Sequence, residues 1–305
     1  MRERNIDNMG KTKIEWVRES DGTQGSVWNC IRGCSRVSRG CERCYAERMA
    51  ARFATGPIER PGPFSQVIGL NGRWNGRVEL IESQLEIPLH WRKQRRIFVN
   101  SMSDTFHENL PDETIDRIFN AAHYGAQHIY LFLTKRAQRM YEFLSDRWSQ
   151  ELIPRNWWFG VSAEDQATAD ERIPLLLQTP AEVRFISAEP LLADLDLGDY
   201  LGHHLGCDGE TYPCMTCLSR GRLDCVLLGG ESGPAARPCK VEWIRSIVRQ
   251  CAAAGIACFV KQMGTWWARQ QNRSPDQWIQ IDSKGGEPSE WPLEAIKKIG
   301  LGSVR

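Results

Sequence analysis

From about residue 96 onward, short apolar runs alternate with stretches of helical periodicity, and this rhythm restricts the possible folds more than any other feature of the chain. The runs are 96–100 (RIFVN), 129–133 (IYLFL), 157–161 (WWFGV), 183–187 (VRFIS), 225–228 (CVLL) and 257–260 (ACFV). Strands of this composition suit a parallel sheet covered on both faces. Between them, 111–124 opens with Pro-Asp-Glu and carries Ile115, Ile118, Phe119 and Ala122 at helical spacing. Residues 241–254 place Val241, Ile244, Ile247, Val248 and Cys251 on one face, with Gly255 as a stop. A third helix, 166–178, contains Pro174, which is expected to kink or divide it. The pattern predicts an α/β fold, a partial (βα) TIM-like barrel of mostly parallel strands. Residues 55–78, rich in Gly and Pro, read as an extended loop with a short hairpin. The rhythm stops at Gly264, so 1–264 is taken as the barrel domain and 265–305 as a hairpin or irregular cap packed on it.

Each strand ends in residues that can do chemistry: Ser101, Ser103 and Asp104; Thr134, Lys135 and Arg136; Glu164; Glu189; Gly229, Gly230, Glu231 and Ser232; Lys261 and Gln262. In α/β barrels the loops after the strands converge on the active-site face. The competing reading is that such residues open solvent loops or cap the next helix. The glycines at 229 and 230 expose amides to an anionic group, and Glu231 is placed to accept from an ammonium or a ribose hydroxyl. Lys135, Arg136 and Lys261 suit a carboxylate or phosphate, and Glu164 and Glu189 suit ribose or substrate. His107 is a candidate proton donor, although a lone histidine more often packs or solvates. No Ser-His-Asp set and no phosphate-binding loop is present. Trp157, Trp158, Trp266 and Trp267 read as packing residues rather than base-stacking platforms.

Eleven cysteines occur without an apolar export signal or a membrane-length apolar run, which points to a cytoplasmic protein with reduced thiols and no membrane partner. Metal binding is then the leading use for those that cluster. Cys30, Cys34, Cys41 and Cys44 lie within fifteen residues, with Gly33 and Gly40 giving the backbone freedom to curl. Four thiolates can close a zinc tetrahedron, whereas three can hold an iron–sulfur cluster with one iron left open. In an insertion at about 199–224, Cys207, Cys214 and Cys217 with His203 or His204 form a candidate structural zinc site. Cys225, Cys239, Cys251 and Cys258 are scattered and read as core residues. The net charge of +1 gives no overall attraction for phosphate, so nucleic-acid binding would need a local basic patch such as Arg32, Arg36, Arg39, Arg43 and Arg48.

The run WNCIRGCSRVSRGCERCYAERMAARF, which holds the cluster motif at 28–45, resembles the three-cysteine motif of a phage and prophage protein family, the phage gp-thirty-seven type, with the pattern W-N-P-x-x-G-C followed by G-C-x-x-C-Y-A. The similarity continues through IFVNSMSDTFH, FLTKRAQRM, WFGVSAEDQ, RFISAEPLL, LLGGESGPAARP and FVKQMG, so it covers most of the chain. Cys30 stands where the family has proline, which implies that Cys34, Cys41 and Cys44 are the ligands and Cys30 a neighbour. That family in turn resembles the radical S-adenosylmethionine superfamily, although the spacing here is C-x6-C-x2-C rather than C-x3-C-x2-C, and Tyr45 follows the last cysteine where an aromatic usually precedes it.

The resemblance implies a four-iron four-sulfur (4Fe-4S) cluster on three thiolates, with S-adenosylmethionine chelated at the open iron through its amino and carboxylate groups. An external electron donor and an unidentified substrate complete the implied set, a nucleic acid or nucleotide being one candidate. A Gly-Gly-Glu-like segment binds the methionine amino group in that superfamily. It normally follows the second strand, so Ser101, Ser103 and Asp104 rival Gly229, Gly230 and Glu231 for the role. Two other readings stand beside this one: a structural or hydrolytic zinc protein with all four early cysteines in a closed site, and a nucleic-acid-binding accessory protein that uses the Arg-rich stretch.

Overall fold

The computed structural model describes residues 10–18, 24–57, 61–148, 152–201 and 221–271. Each of the six apolar runs is a strand: β4 (Arg96–Val99), β5 (Ile129–Thr134), β6 (Trp157–Ser162), β7 (Val183–Ala188), β8 (Cys225–Gly229) and β9 (Ala257–Gln262). A seventh, β1 (Ser26–Trp28), was not visible as an apolar run and joins them ahead of β4. The sheet order β1-β4-β5-β6-β7-β8-β9 is all-parallel and curled, the arrangement of a partial (βα) barrel. Every residue of β6, β7 and β8 is buried, as strands covered on both faces should be. A separate ribbon pairs β2 (Ile31–Arg32) with β3 (Glu79–Leu80) antiparallel, Ile31 opposite Leu80.

The chain divides into two compact units, Met1–Phe159 with Pro180–Glu182, and Gly160–Thr179 with Val183–Arg305. In the first, β1, β4 and β5 are parallel neighbours with Trp28 opposite Val99 and Val99 opposite Phe132. Helices α1 (Tyr45–Ala54), α2 (Glu82–Leu85), α3 (Asp112–Tyr124) and α4 (Ala137–Arg147) belong to it. Helix α3 begins with Asp112 and Glu113, which complement the positive end of its dipole. Its Phe119 ring stacks 4.7 Å from Phe132 and 5.7 Å from Phe143, forming an aromatic core on which Trp157 also packs.

In the second unit, α5 (Gln166–Gln178) starts with a capping box of Asp165 and Thr168, and Pro174 does not divide it. The proline removes one donor, from the carbonyl of Asp170 on the exposed side, while Ala169, Ile173 and Leu176 remain buried. Helix α6 (Val241–Ala253) buries Ile244, Ile247 and Cys251, and Cys225, Cys239 and Cys258 are buried too, consistent with the core role read for all four. Residues Thr265–Gln271 form a helix, α7, rather than a hairpin. Trp267 and Ala268 are buried, and the Ala268 amide donates to the Gly264 carbonyl, so local packing favours a turn of helix there. Residues 61–78 lack regular strands apart from an isolated antiparallel bridge between Ile68 and Trp74, the short hairpin expected. His203, His204, Cys207, Cys214 and Cys217 lie outside the described residues, as does 272–305. Among the described residues, no helix is long and apolar enough to cross a membrane.

Candidate metal centre

Parallel pairing brings the C-terminal ends of β1, β4 and β5 to one edge, and the cysteine loop grows from the first of them. Asn100, just past β4, fixes where that loop begins. It is buried with φ of 55°, a left-handed conformation that asparagine tolerates better than most residues. Its amide donates to the Trp28 carbonyl, while its Oδ1 accepts from the Ile31 amide at 3.1 Å and from the Cys30 thiol at 3.6 Å. Its Nδ2 donates to Thr105 Oγ1 at 2.9 Å. Ser103 adds a bond from its hydroxyl to the Ile31 carbonyl, and Ser101 donates to Asn29 Oδ1. Both serines, proposed from sequence as cofactor contacts, thus fasten the start of the cysteine loop.

Gly33 then turns the chain with φ of 92°, and a Cβ there would lie 2.0 Å from the Arg77 carbonyl oxygen, so only glycine fits. Gly40, the other glycine expected to supply freedom, sits instead in an ordinary 3-10 turn, Arg39–Cys41, without a left-handed φ. Cys41 closes that turn, and Cys44 immediately precedes α1.

Cys34, Cys41 and Cys44 interact electrostatically with one another, and Cys30 does not join them. Burial pushes Cys34 up to about 12, with the Asp104 charge adding to the effect and Arg136 opposing it. Burial also raises Cys44, against the favourable amides of Ala46 and Glu47 at the start of α1. Cys30 is fully buried and pushed up to about 12 by burial, its thiol committed to Asn100. Without a cation, burial thus favours the protonated form of Cys34 and Cys44, and a metal would have to displace those protons.

Two guanidinium groups flank the trio. Arg36 grips the buried Glu47 carboxylate with both Nε and Nη2, and its charge acts on Cys44 and Cys41. Arg136, after β5, donates through Nη1 to Asp104 at 3.0 Å and to the Cys34 sulfur at 3.9 Å, through Nη2 to Ser35 Oγ at 2.7 Å, and through Nε to Glu108. Asp104 is saturated: Thr134 Oγ1, the amides of Phe106 and Lys135, and Arg136 all donate to it. It thus serves as the anchor for Arg136. Burial lowers the pKa of His107, whose Nδ1 accepts from the Asn109 amide, which leaves the proton on Nε2. That nitrogen is buried without a hydrogen-bond partner, 3.6 Å from Glu108 Oε1.

Among the described residues, no three His, Cys, Asp or Glu side chains converge where one metal ion would sit. Around a single zinc the sulfurs would stand about 3.8 Å apart, given Zn–S bonds of about 2.3 Å. In a cubane each thiolate binds its own iron, so the sulfurs that hold one need not converge on a single point. The donor chemistry agrees, since soft thiolates suit iron–sulfur clusters.

A protein-family model described as "Protein of unknown function (DUF5131)" matches residues 11–289. The chain belongs to the DUF5131 family. No curated protein matches it, and no solved structure does. The match takes in the cysteine loop and every strand among the described residues of the DUF5131 chain.

The second unit of this DUF5131 protein holds the remaining sequence candidates, and most of their polar atoms are engaged internally. Glu231 is buried and accepts from the Arg237 amide, Nε and Nη2. Glu164 forms a fully buried pair with Arg172 at 3.1 Å. The Gly230 amide donates to the Gln262 carbonyl, and a Cβ at Gly230 would lie 2.3 Å from the Met263 carbonyl oxygen, so that glycine serves close packing of β8 on β9. Gly229 is held similarly, with Glu189 Oε1 2.8 Å from its would-be Cβ. Lys261 and Glu189 make a half-exposed pair at 3.1 Å. Lys135, in the first unit, contributes its amide to Asp104.

Proposed function

We propose that this protein is an iron–sulfur enzyme of the radical S-adenosylmethionine type. One observation carries the reading: three early cysteines form an interacting group while the fourth, Cys30, is turned into the core against Asn100. A site offering three sulfurs leaves one iron for a small chelating ligand, and a closed four-cysteine zinc site would require Cys30 to leave its pocket. Cys34, Cys41 and Cys44 would hold the cluster, and the loop's resemblance to the three-cysteine motif supports the same assignment. When bound, such a cluster supplies a single electron for reductive cleavage of the S-adenosylmethionine sulfonium.

The residues of the chain do the rest. Gly33 and Asn100 set the loop's path, α1 offers its first amides to Cys44, and Arg36 and Arg136 place fixed positive charge beside the thiolates. Arg136, held by Asp104 and Glu108, keeps its charge where a tri-thiolate centre accumulates negative charge. The test is anaerobic reconstitution with iron and sulfide followed by reduction in the presence of S-adenosylmethionine. Formation of 5′-deoxyadenosine and methionine supports the reading; a protein that takes up about four irons yet forms neither product, with or without cell-extract nucleic acid and nucleotides, contradicts it.

A further inference from the structure

The cysteine loop sits on a surface whose charge departs from the balance of the chain. Residues 29–78 carry nine arginines against three glutamates, a net charge of +6 in a chain whose total is +1, with no lysine and no aspartate. Among the described residues of this segment, Arg39, Arg43, Arg48, Arg52, Arg73 and Arg77 are exposed, and Glu42 is the one exposed acid. The Arg-rich stretch of the sequence also includes Arg32 and Arg36. Both are half-buried, Arg36 on Glu47 and Arg32 over the Phe64 ring, and Arg52, Arg73 and Arg77 take their place.

These side chains are gathered by the fold. On α1, Tyr45, Arg48 and Arg52 follow one another at i, i+3 and i+7 along the outward face, opposite the buried Glu47 and Ala50. The 61–78 segment is fastened alongside: the Trp74 amide donates to Glu47 at 3.1 Å, and the Arg77 carbonyl lies against Gly33. Arg73 is thereby held beside α1, and Arg77 beside the loop that carries Cys34. Tyr45 and Phe53 leave 62% and 48% of their surface exposed among these cations. A plain solvated face would mix both signs of charge. Forked guanidinium groups suit phosphate oxygens, and exposed aromatic rings interleaved with them suit unpaired bases.

We infer that this face docks the sugar–phosphate backbone of a single-stranded nucleic acid, with bases stacking at Tyr45 and Phe53, beside the three-sulfur site. The docking stands on the charge and geometry of the face alone. That the strand is also the substrate of the reaction rests on the function proposed above.

Fluorescence anisotropy of a short labelled oligothymidylate with the reconstituted full chain reads the docking directly. With about four phosphates engaged, affinity should fall about fifty-fold between about 50 and 200 mM salt. Arg48→Glu with Arg52→Glu should weaken binding at least tenfold and flatten the salt slope, with iron content and unfolding midpoint as controls for the fold. Tyr45→Ala should weaken it about tenfold with the slope kept, and Lys93→Glu, an exposed cation outside the segment, should change it less than twofold. Undetectable binding at low salt, indifference to the double charge reversal, or capture by phosphatidylserine vesicles with no binding of the strand would each overturn the inference. A protein that binds the strand as expected yet forms no 5′-deoxyadenosine contradicts the reaction and upholds the docking face. One that forms 5′-deoxyadenosine yet ignores the strand contradicts the docking face alone.

Discussion

Arg136 Nη1 lies 3.0 Å from Asp104 Oδ2 and 3.9 Å from Cys34 Sγ, so one nitrogen links the acid after β4 to a sulfur of the loop after β2. Both Arg136 and Asp104 are more than nine-tenths buried. Such a pair contributes little net stability over an apolar replacement, but removing one partner strands a buried charge. Arg136→Met is therefore expected to cost about 3 kcal/mol in urea unfolding, and adding Asp104→Asn should recover part of it. In the loaded protein, Arg136→Met should move the reduction potential of the centre to more negative values, because a cation beside it favours the extra electron.

Asn100 offers a test of loop anchoring. Asn100→Ala leaves the buried Ile31 amide and Thr105 hydroxyl without their partner and places alanine at φ of 55°. A loss of about 2 to 3 kcal/mol is expected, together with reduced iron uptake. Asn100→Gly should regain the backbone part and leave iron uptake low, a split that equilibrium unfolding and iron analysis resolve.

The separation of Cys30 from the other three thiols gives a sharper discrimination. Cys30→Ala should retain the iron content of the parent, whereas Cys34→Ser, Cys41→Ser and Cys44→Ser should each lose most of it. Equal loss from all four variants would favour a closed four-sulfur site.

A pH dependence follows from His128, which is fully buried with Nδ1 accepting from the Arg95 amide and Nε2 facing the Pro88 carbonyl. Burial lowers its pKa below the ordinary 6.5 despite the helpful Pro88 contact, and Arg95 lowers it further. As pH falls through about 6.5 the unfolded chain takes up the proton first, so stability declines by up to about 1.4 kcal/mol per pH unit until the folded imidazole also protonates. Urea unfolding across this range should show the decline, and His128→Gln should remove its contribution.

The strands were legible because each combines a continuous apolar run with a polar end, and burial on both faces leaves no ambiguity of period. β1 gives no such run, because Ser26–Trp28 is three residues long and lies among polar neighbours. That the early cysteines share one loop was legible from their spacing, whereas the hydrogen bond from the Cys30 thiol to Asn100 was not. The sequence could not show what saturates Asp104 and Glu231, since residue type reveals capacity and not partner. Thr134 and Arg136 reach Asp104 from a strand thirty residues on. A usable signal did exist: an acid after one parallel strand and a base after its neighbour are brought to the same edge. Asn100 is not legible in the sequence, because a left-handed turn at a strand end leaves no trace in hydrophobic period.

Electron paramagnetic resonance of the anaerobically reconstituted, reduced protein, recorded before and after addition of S-adenosylmethionine, bears most directly on the three-sulfur centre. A cluster with one iron free of protein sulfur predicts a reduced-cluster signal whose g-values change when the sulfonium ligand binds, and that disappears in Cys34→Ser, Cys41→Ser or Cys44→Ser but not in Cys30→Ala. A protein that instead binds stoichiometric zinc through all four cysteines, or a cluster signal indifferent to S-adenosylmethionine, would contradict it.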